Sequence, residues 1–360
     1  MNAPLGRRTA LAAGDVEFHV VESRLLARNR AGDPATREFP IYVPRAASAP
    51  GASRAPGAPD SGGRVPLVFL LIGFTGNGQE FLETHPWRRG VVVEYDALLA
   101  AGKVPPVVLA LPNAFTKYGG SQYVDSSFNG PYARYVVEEL VPFAEAHAPV
   151  LPGRRGVIGK SSGGVGALHL AMRHPGVFQA AASISGDAGF EGCHAPAFWE
   201  CARALVPHGG DARRFLEEFL ARPELAGDKF GAINTIAMSA CYSPNPDSPI
   251  GCDLPIDPRT GERLESVWRR WLEFDPLVAC ERHVAELRAL EFLHVECGSR
   301  DEYNIQFGTR RLVERLRALG VPHTTLEHDG SHRGIQHRYL ELLPRLVEVL
   351  ARLRAPGGAS

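Results

Sequence analysis

Arg154–Leu170 reads RRGVIGKSSGGVGALHL, and two chemistries claim it. Gly159-Lys160-Ser161 looks like the core of a phosphate-cradling loop. That loop needs G-x-x-x-x-G-K-[ST], because its first glycine opens the nest of N–H groups around the phosphates. Five residues before Gly159 stands Arg154, while Gly153 and Gly156 are out of register. The stretch Gly156–Ile158, where the loop would have to lie, reads as a strand instead. The other reading is G-x-S-x-G, a sharp strand-to-helix turn that presents a serine. Such a turn tolerates only small residues two positions before and after the serine, and Gly159 and Gly163 occupy those positions around Ser161. A strand precedes and the helical GVGALHLAMRHP follows, so Ser161 is the candidate nucleophile, with Ser162 the competing hydroxyl.

Working outward, VPLVFLLIG (Val65–Gly73), PPVVLALPN (Pro105–Asn113), AAASIS (Ala181–Ser185 within it) and LEFLHVECG (Leu290–Gly298) are near-continuous apolar runs. Such runs suit strands covered on both faces. REFPIYVPR (Arg37–Arg45) and HTTLEH (His323–His328) add strands. Helical spacing marks 132–148, with Pro142 a kink or end signal, and also 306–319 and 334–354. Strands alternating with helices imply an α/β fold, a mostly parallel sheet with helices on both faces. Residues 15–186 and 276–355 are expected to form this core, interrupted by an Ala/Pro/Gly/Ser-rich flexible loop at 46–63. Residues 187–275 break the rhythm and are expected to be an inserted cap. Residues 1–14 are expected to be disordered.

A serine nucleophile needs a base and an orienting acid, which follow in the order Ser, acid, His on an α/β-hydrolase sheet. Asp301 stands just past a strand end in CGSRDE, with Glu302 as its rival, and His332 follows the next strand in DGSHRG. An oxyanion site needs two backbone donors. One is expected from Ser162. The other comes from GFTGNG after the Val65–Gly73 strand, from Phe74 or Thr75, where Gly73, Gly76 and Gly78 allow close approach. Lys160, Tyr123, Asp187 and Trp199 are candidate substrate-binding residues, with Tyr118, Phe128, Phe198 and Trp268 as further aromatics of the surrounding loop and cap.

Composition excludes other classes. Lys and Arg (39) balance Asp and Glu (40), which argues against a phosphate-driven nucleic-acid binder. No apolar run reaches the length of a membrane span, and the N-terminus has no signal-like apolar stretch, so a cytoplasmic location is expected. Six cysteines without a C-x-x-C pair read as thiols rather than a zinc site or disulfide framework. No metal or organic cofactor is expected. The expected partner is a small-molecule ester, with homodimer formation left open.

These residues together resemble the putative-esterase family of α/β-hydrolases, which includes esterase D, enterochelin esterases and feruloyl esterases. LLIGFTGNGQEF looks like that family's oxyanion segment, GKSSGG its nucleophile turn, CGSRD its acid and GSH its histidine. The resemblance implies the α/β-hydrolase fold and a Ser161–His332–Asp301 triad cleaving a carboxylic ester or thioester, and it favours Phe74 as the second donor. An acyltransferase with the same triad, and a non-catalytic binding protein on the same fold, remain open alternatives.

Overall fold

The computed structural model describes residues 5–47, 62–85 and 87–353. A nine-stranded sheet organises the described chain: β1 (Leu5–Ala10), β2 (Gly14–Glu22), β3 (Thr36–Pro44), β4 (Val65–Leu71), β5 (Val108–Ala110), β6 (Val150–Lys160), β7 (Ala180–Ile184), β8 (Phe292–Gly298) and β9 (Thr324–His328). Their order across the sheet is β1-β2-β3-β5-β4-β6-β7-β8-β9. From β5 onward every pairing is parallel, while β1, β2 and β3 form an antiparallel edge.

The pleat explains why the central strands are apolar throughout. In β4, Leu67, Phe69 and Leu71 join the core on one face, and Val68 and Leu70 join the core on the other. The first face is covered by α2 (Val141–His147), α3 (Ser162–Arg173) and α8 (Ile305–Ala318), through residues such as Val141, Leu168 and Leu312. The second is covered by α1 (Val91–Ala100) and α9 (His337–Arg352), through Val92, Tyr95, Leu342 and Leu346. Ahead of Pro142 the helix passes through a π-helical stretch, Tyr135–Leu140, before α2 begins. The proline has no N–H to give to the preceding turn, so its signal is a change of helical register rather than an end.

Between β7 and β8 the chain inserts α4 (Ala195–Leu205), α5 (Ala212–Ala221), α6 (Lys229–Tyr242) and α7 (Glu265–Leu272). These helices have a core of their own, built on Phe198, Phe215, Ile236, Tyr242, Trp268 and Trp271. Trp271 Nε1 donates to Ser243 Oγ at 2.9 Å, which satisfies its buried polar atom.

One sequence expectation changes. Residues 5–10 do not lack structure: β1 pairs with β2, Arg8 binds Asp15 at 2.7 Å, and Arg7 stacks on the Phe18 ring. The charged residues hid a short edge strand whose partner was itself not recognised. Of the flexible loop expected at 46–63, residues 48–61 lie outside the described residues.

Candidate active site

β6 ends at Lys160, α3 begins at Ser162, and the residue between them takes φ 58° and ψ −127°. This conformation is unfavourable for a residue with a Cβ and is held only by its surroundings. The Ser161 N–H donates to the Ile184 carbonyl at 3.0 Å, and the Ser161 carbonyl accepts from Gly164 at 2.7 Å. The glycines are required by contact. A Cβ on Gly159 would overlap the Gly163 carbonyl, and a Cβ on Gly163 would overlap the Leu71 carbonyl. Gly163→Ala should therefore cost roughly 2–3 kcal/mol or more in stability, read as a lower denaturant midpoint, because backbone rather than a side-chain tip stands in the way.

Asp301 and His332 come from the loops after β8 and β9. His332 Nδ1 lies 2.8 Å from Asp301 Oδ2, and Asp301 Oδ1 accepts from the Tyr303 N–H at 3.0 Å. Burial pushes the Asp301 carboxyl up. The hydrogen bond and charge of His332, with the Tyr303 N–H, outweigh it and leave the group below its ordinary value. Glu302, the rival acid, does not touch the imidazole nitrogens. Its Oε2 accepts the His332 backbone N–H at 2.5 Å and fixes the loop. The Tyr303 ring packs edge-on against the imidazole at 4.8 Å.

The loop after β4 lies directly against the serine, since a Cβ on Gly73 would sit 3.3 Å from Ser161 Cβ. Thr75, at φ 67°, donates its N–H to the Gly119 carbonyl at 2.8 Å and is thereby occupied. Tyr123 does not line the cavity. Its buried hydroxyl donates to the Ile72 carbonyl at 3.0 Å and accepts the Ile72 N–H at 2.9 Å, bracing the base of this loop. Tyr339 braces the same strand end by donating to the Leu71 carbonyl at 2.9 Å.

Ser161, Ser162, His332, Phe74, Lys160 and Asp187 line one cavity of about 420 Å³. Trp199 stands apart from it, 58% exposed and lying over Gly261. Tyr118, Phe128, Phe198 and Trp268 are buried in the insertion's core rather than in the cavity wall. The insertion reaches the cavity through residues the sequence did not single out: Pro196, Ala197 and Glu200 of α4, and Phe230, Gly231 and Asn234 of α6. Each set follows helical spacing, but so does the opposite, core-facing side of each helix, and polarity alone did not tell them apart. Lys160 is held below its ordinary pKa by burial, against the pull of Asp301, Glu302 and Asp187.

Asp187 is pushed up to about 7, by burial first and then by the charge of Asp301, with Lys160 acting in the opposite direction. The unfolded chain releases this proton near pH 4, so the buried carboxyl leaves stability unchanged below that pH. Stability then falls as the pH rises to about 7 and stays reduced above it. Asp187→Asn cannot ionise, so its melting temperature should gain on that of the wild type more at about pH 8 than at about pH 4.

The fold is that of an α/β-hydrolase, with Ser161 at the sharp turn between β6 and α3. Residues 54–340 match the family model described as "Putative esterase", and the chain belongs to that family. It is a carboxylic-ester hydrolase. No curated protein matches the sequence significantly. Among solved structures, a ferulic acid esterase aligns with TM-score 0.57 and 19% identity, covering 94% of this chain and 99% of its own. An S-formylglutathione hydrolase from Agrobacterium tumefaciens aligns with TM-score 0.57 and 16% identity, covering 97% and 100%. FphF, a fluorophosphonate-binding serine hydrolase from Staphylococcus aureus, aligns with TM-score 0.53 and 13% identity, covering 95% and 100%. At these identities the likeness speaks for the fold alone. Among the described residues no helix is long and apolar enough to cross a membrane, and no group of three His, Cys, Asp or Glu could hold a metal. All six cysteines are free thiols.

Proposed function

We propose that the protein cleaves a carboxylic ester through a Ser161–His332–Asp301 triad and an acyl-enzyme intermediate. The observation that carries this reading is the 2.8 Å His332–Asp301 pair opening on the same cavity as a serine held at positive φ. Asp301 occupies Nδ1 and so leaves Nε2 as the nitrogen that exchanges protons. Ser161 Oγ attacks the ester carbonyl carbon while Nε2 takes its proton. The carbonyl oxygen becomes an oxyanion, stabilised by the Ser162 N–H at the start of α3 and by the Phe74 N–H. Phe74 is preferred to Thr75 because the Thr75 N–H is already bonded to Gly119. Each donor is worth ~3–4 kcal/mol in comparable sites. Collapse of the intermediate expels the alcohol, which takes the proton from Nε2. Water then repeats the sequence on the acyl-Ser161 and releases the acid.

The insertion of α4 and α6 acts as a cap, bringing Glu200, Phe230 and Asn234 to the cavity that Lys160 also lines. A shared acyl-enzyme makes a specific demand. With added methanol, p-nitrophenyl and phenyl esters of one acid must yield the same ratio of free acid to methyl ester. A ratio that changes with the leaving group would contradict the intermediate. A ratio dominated by the methyl ester at low methanol would point to acyl transfer rather than hydrolysis.

A further inference from the structure

Asp187 and His194 form a second acid–histidine pair on the wall of the active-site cavity, and the triad chemistry uses neither. Asp187 is 6% exposed and His194 5% exposed, and both line the cavity with Ser161. His194 Nε2 stands 3.6 Å from Asp187 Oδ2, beyond hydrogen-bond reach, and is a buried nitrogen with no partner. Asp187 makes no hydrogen bond and no ion pair with Lys or Arg among the described residues. Burying such a carboxyl without a donor is unfavourable. A carboxyl kept in that state on a ligand cavity is a vacant acceptor for whatever enters.

We infer that Asp187 selects the substrate by accepting a hydrogen bond from an uncharged hydroxyl on the ester. This rests on the esterase reading above and adds a specificity to it. A hydroxyl fits better than an ammonium at this position. The charged lining is mixed, with Lys160 and Arg333 beside Glu200 and Glu302, and selects no cation by itself. Burial and the neighbouring Asp301 disfavour the fully ionised carboxylate that an ammonium would require. The other walls suit a polar substrate with an apolar portion: Asn234, Asn304 and Tyr303 are set beside Phe74 and Phe230. His194 is held neutral by burial and packs edge-on against Phe190 and Trp271, so its ring is fixed beside Asp187 and brings it no charge.

The test uses two substrate series on the full-length protein. On the acyl side these are methyl β-hydroxybutyrate, its deoxy analogue methyl butyrate and its methyl ether. On the alcohol side they are ethylene glycol monobutyrate, propyl butyrate and the methyl ether of the first. In at least one series the wild type should favour the hydroxyl ester over both analogues by ~10-fold or more in kcat/KM. The methyl ether matters because it keeps an acceptor oxygen and loses only the donor. Asp187→Ala should bring the ratio to within ~2-fold, and Asp187→Asn, which keeps a carbonyl acceptor, should retain part of it. Ratios are taken within one protein, so a general loss of activity cancels. If Asp187→Ala does not fold, Asp187→Asn carries the comparison, and its ratio of hydroxyl ester to methyl ether should fall below that of the wild type. Wild-type turnover of all six esters without discrimination overturns the role of Asp187 alone, as does an unchanged ratio in Asp187→Ala. A wild type that hydrolyses p-nitrophenyl acetate but none of the six esters overturns the role of Asp187 alone, and one that hydrolyses neither overturns the triad reading as well.

Discussion

Ser161→Ala is expected to lower kcat for p-nitrophenyl acetate by ~10⁴-fold or more while the protein stays folded. The loss is large because the change removes the only atom that forms the covalent intermediate. The fold survives because what fixes Ser161 is its backbone: the bond from its N–H to Ile184 and those to its carbonyl from Gly164 and Val165. Alanine carries the same Cβ into the same positive-φ conformation, so the strain of the turn is unchanged. Circular dichroism and the denaturation midpoint should therefore match the wild type. Retained hydrolysis would move the nucleophile to another hydroxyl, with Ser162 the first candidate.

Asp301→Asn should reduce kcat by ~10³–10⁴-fold with little effect on KM. The asparagine amide can present its N–H₂ to Nδ1 and favour the wrong imidazole tautomer, and it cannot stabilise the imidazolium. Rescue by Glu302 is not expected, because its carboxylate is committed to the His332 backbone N–H. The double variant Ser161→Ala with Asp301→Asn should be scarcely slower than Ser161→Ala alone, since the residues act as a unit. Steady-state kinetics of the two single variants and the double variant check both statements. Full activity in Asp301→Asn would mean that another group orients His332.

Much of this architecture could be read from the sequence because its signals are local. Apolar runs such as Val65–Leu71 suit a strand covered on both sides, and both faces of that strand are in core. The glycines around Ser161 report a steric demand that any chain turning there must meet. Asp301 and His332 could be placed because each follows its strand by a few residues. What escaped depends on long-range partners. Thr75 and Phe74 could not be separated from their own residues, because the deciding bond goes to Gly119 in a distant loop. Tyr123 had the residue type of a pocket wall, but its hydroxyl is consumed by Ile72. Trp199 sits on α4 one residue from Glu200, yet it faces Gly261 while Glu200 faces the cavity. His194 left no signal at all, since a histidine in a helical insertion has no local reason to stand beside Asp187.

The most direct test of the Ser161 assignment is covalent. Wild-type protein treated with a fluorophosphonate should gain the mass of one adduct, mapped to Ser161 in the peptide spanning 159–170, and a competing ester should slow the labelling. Ser161→Ala should gain none. No adduct on the wild type, or an adduct that persists in Ser161→Ala, would contradict the assignment of Ser161 as the nucleophile.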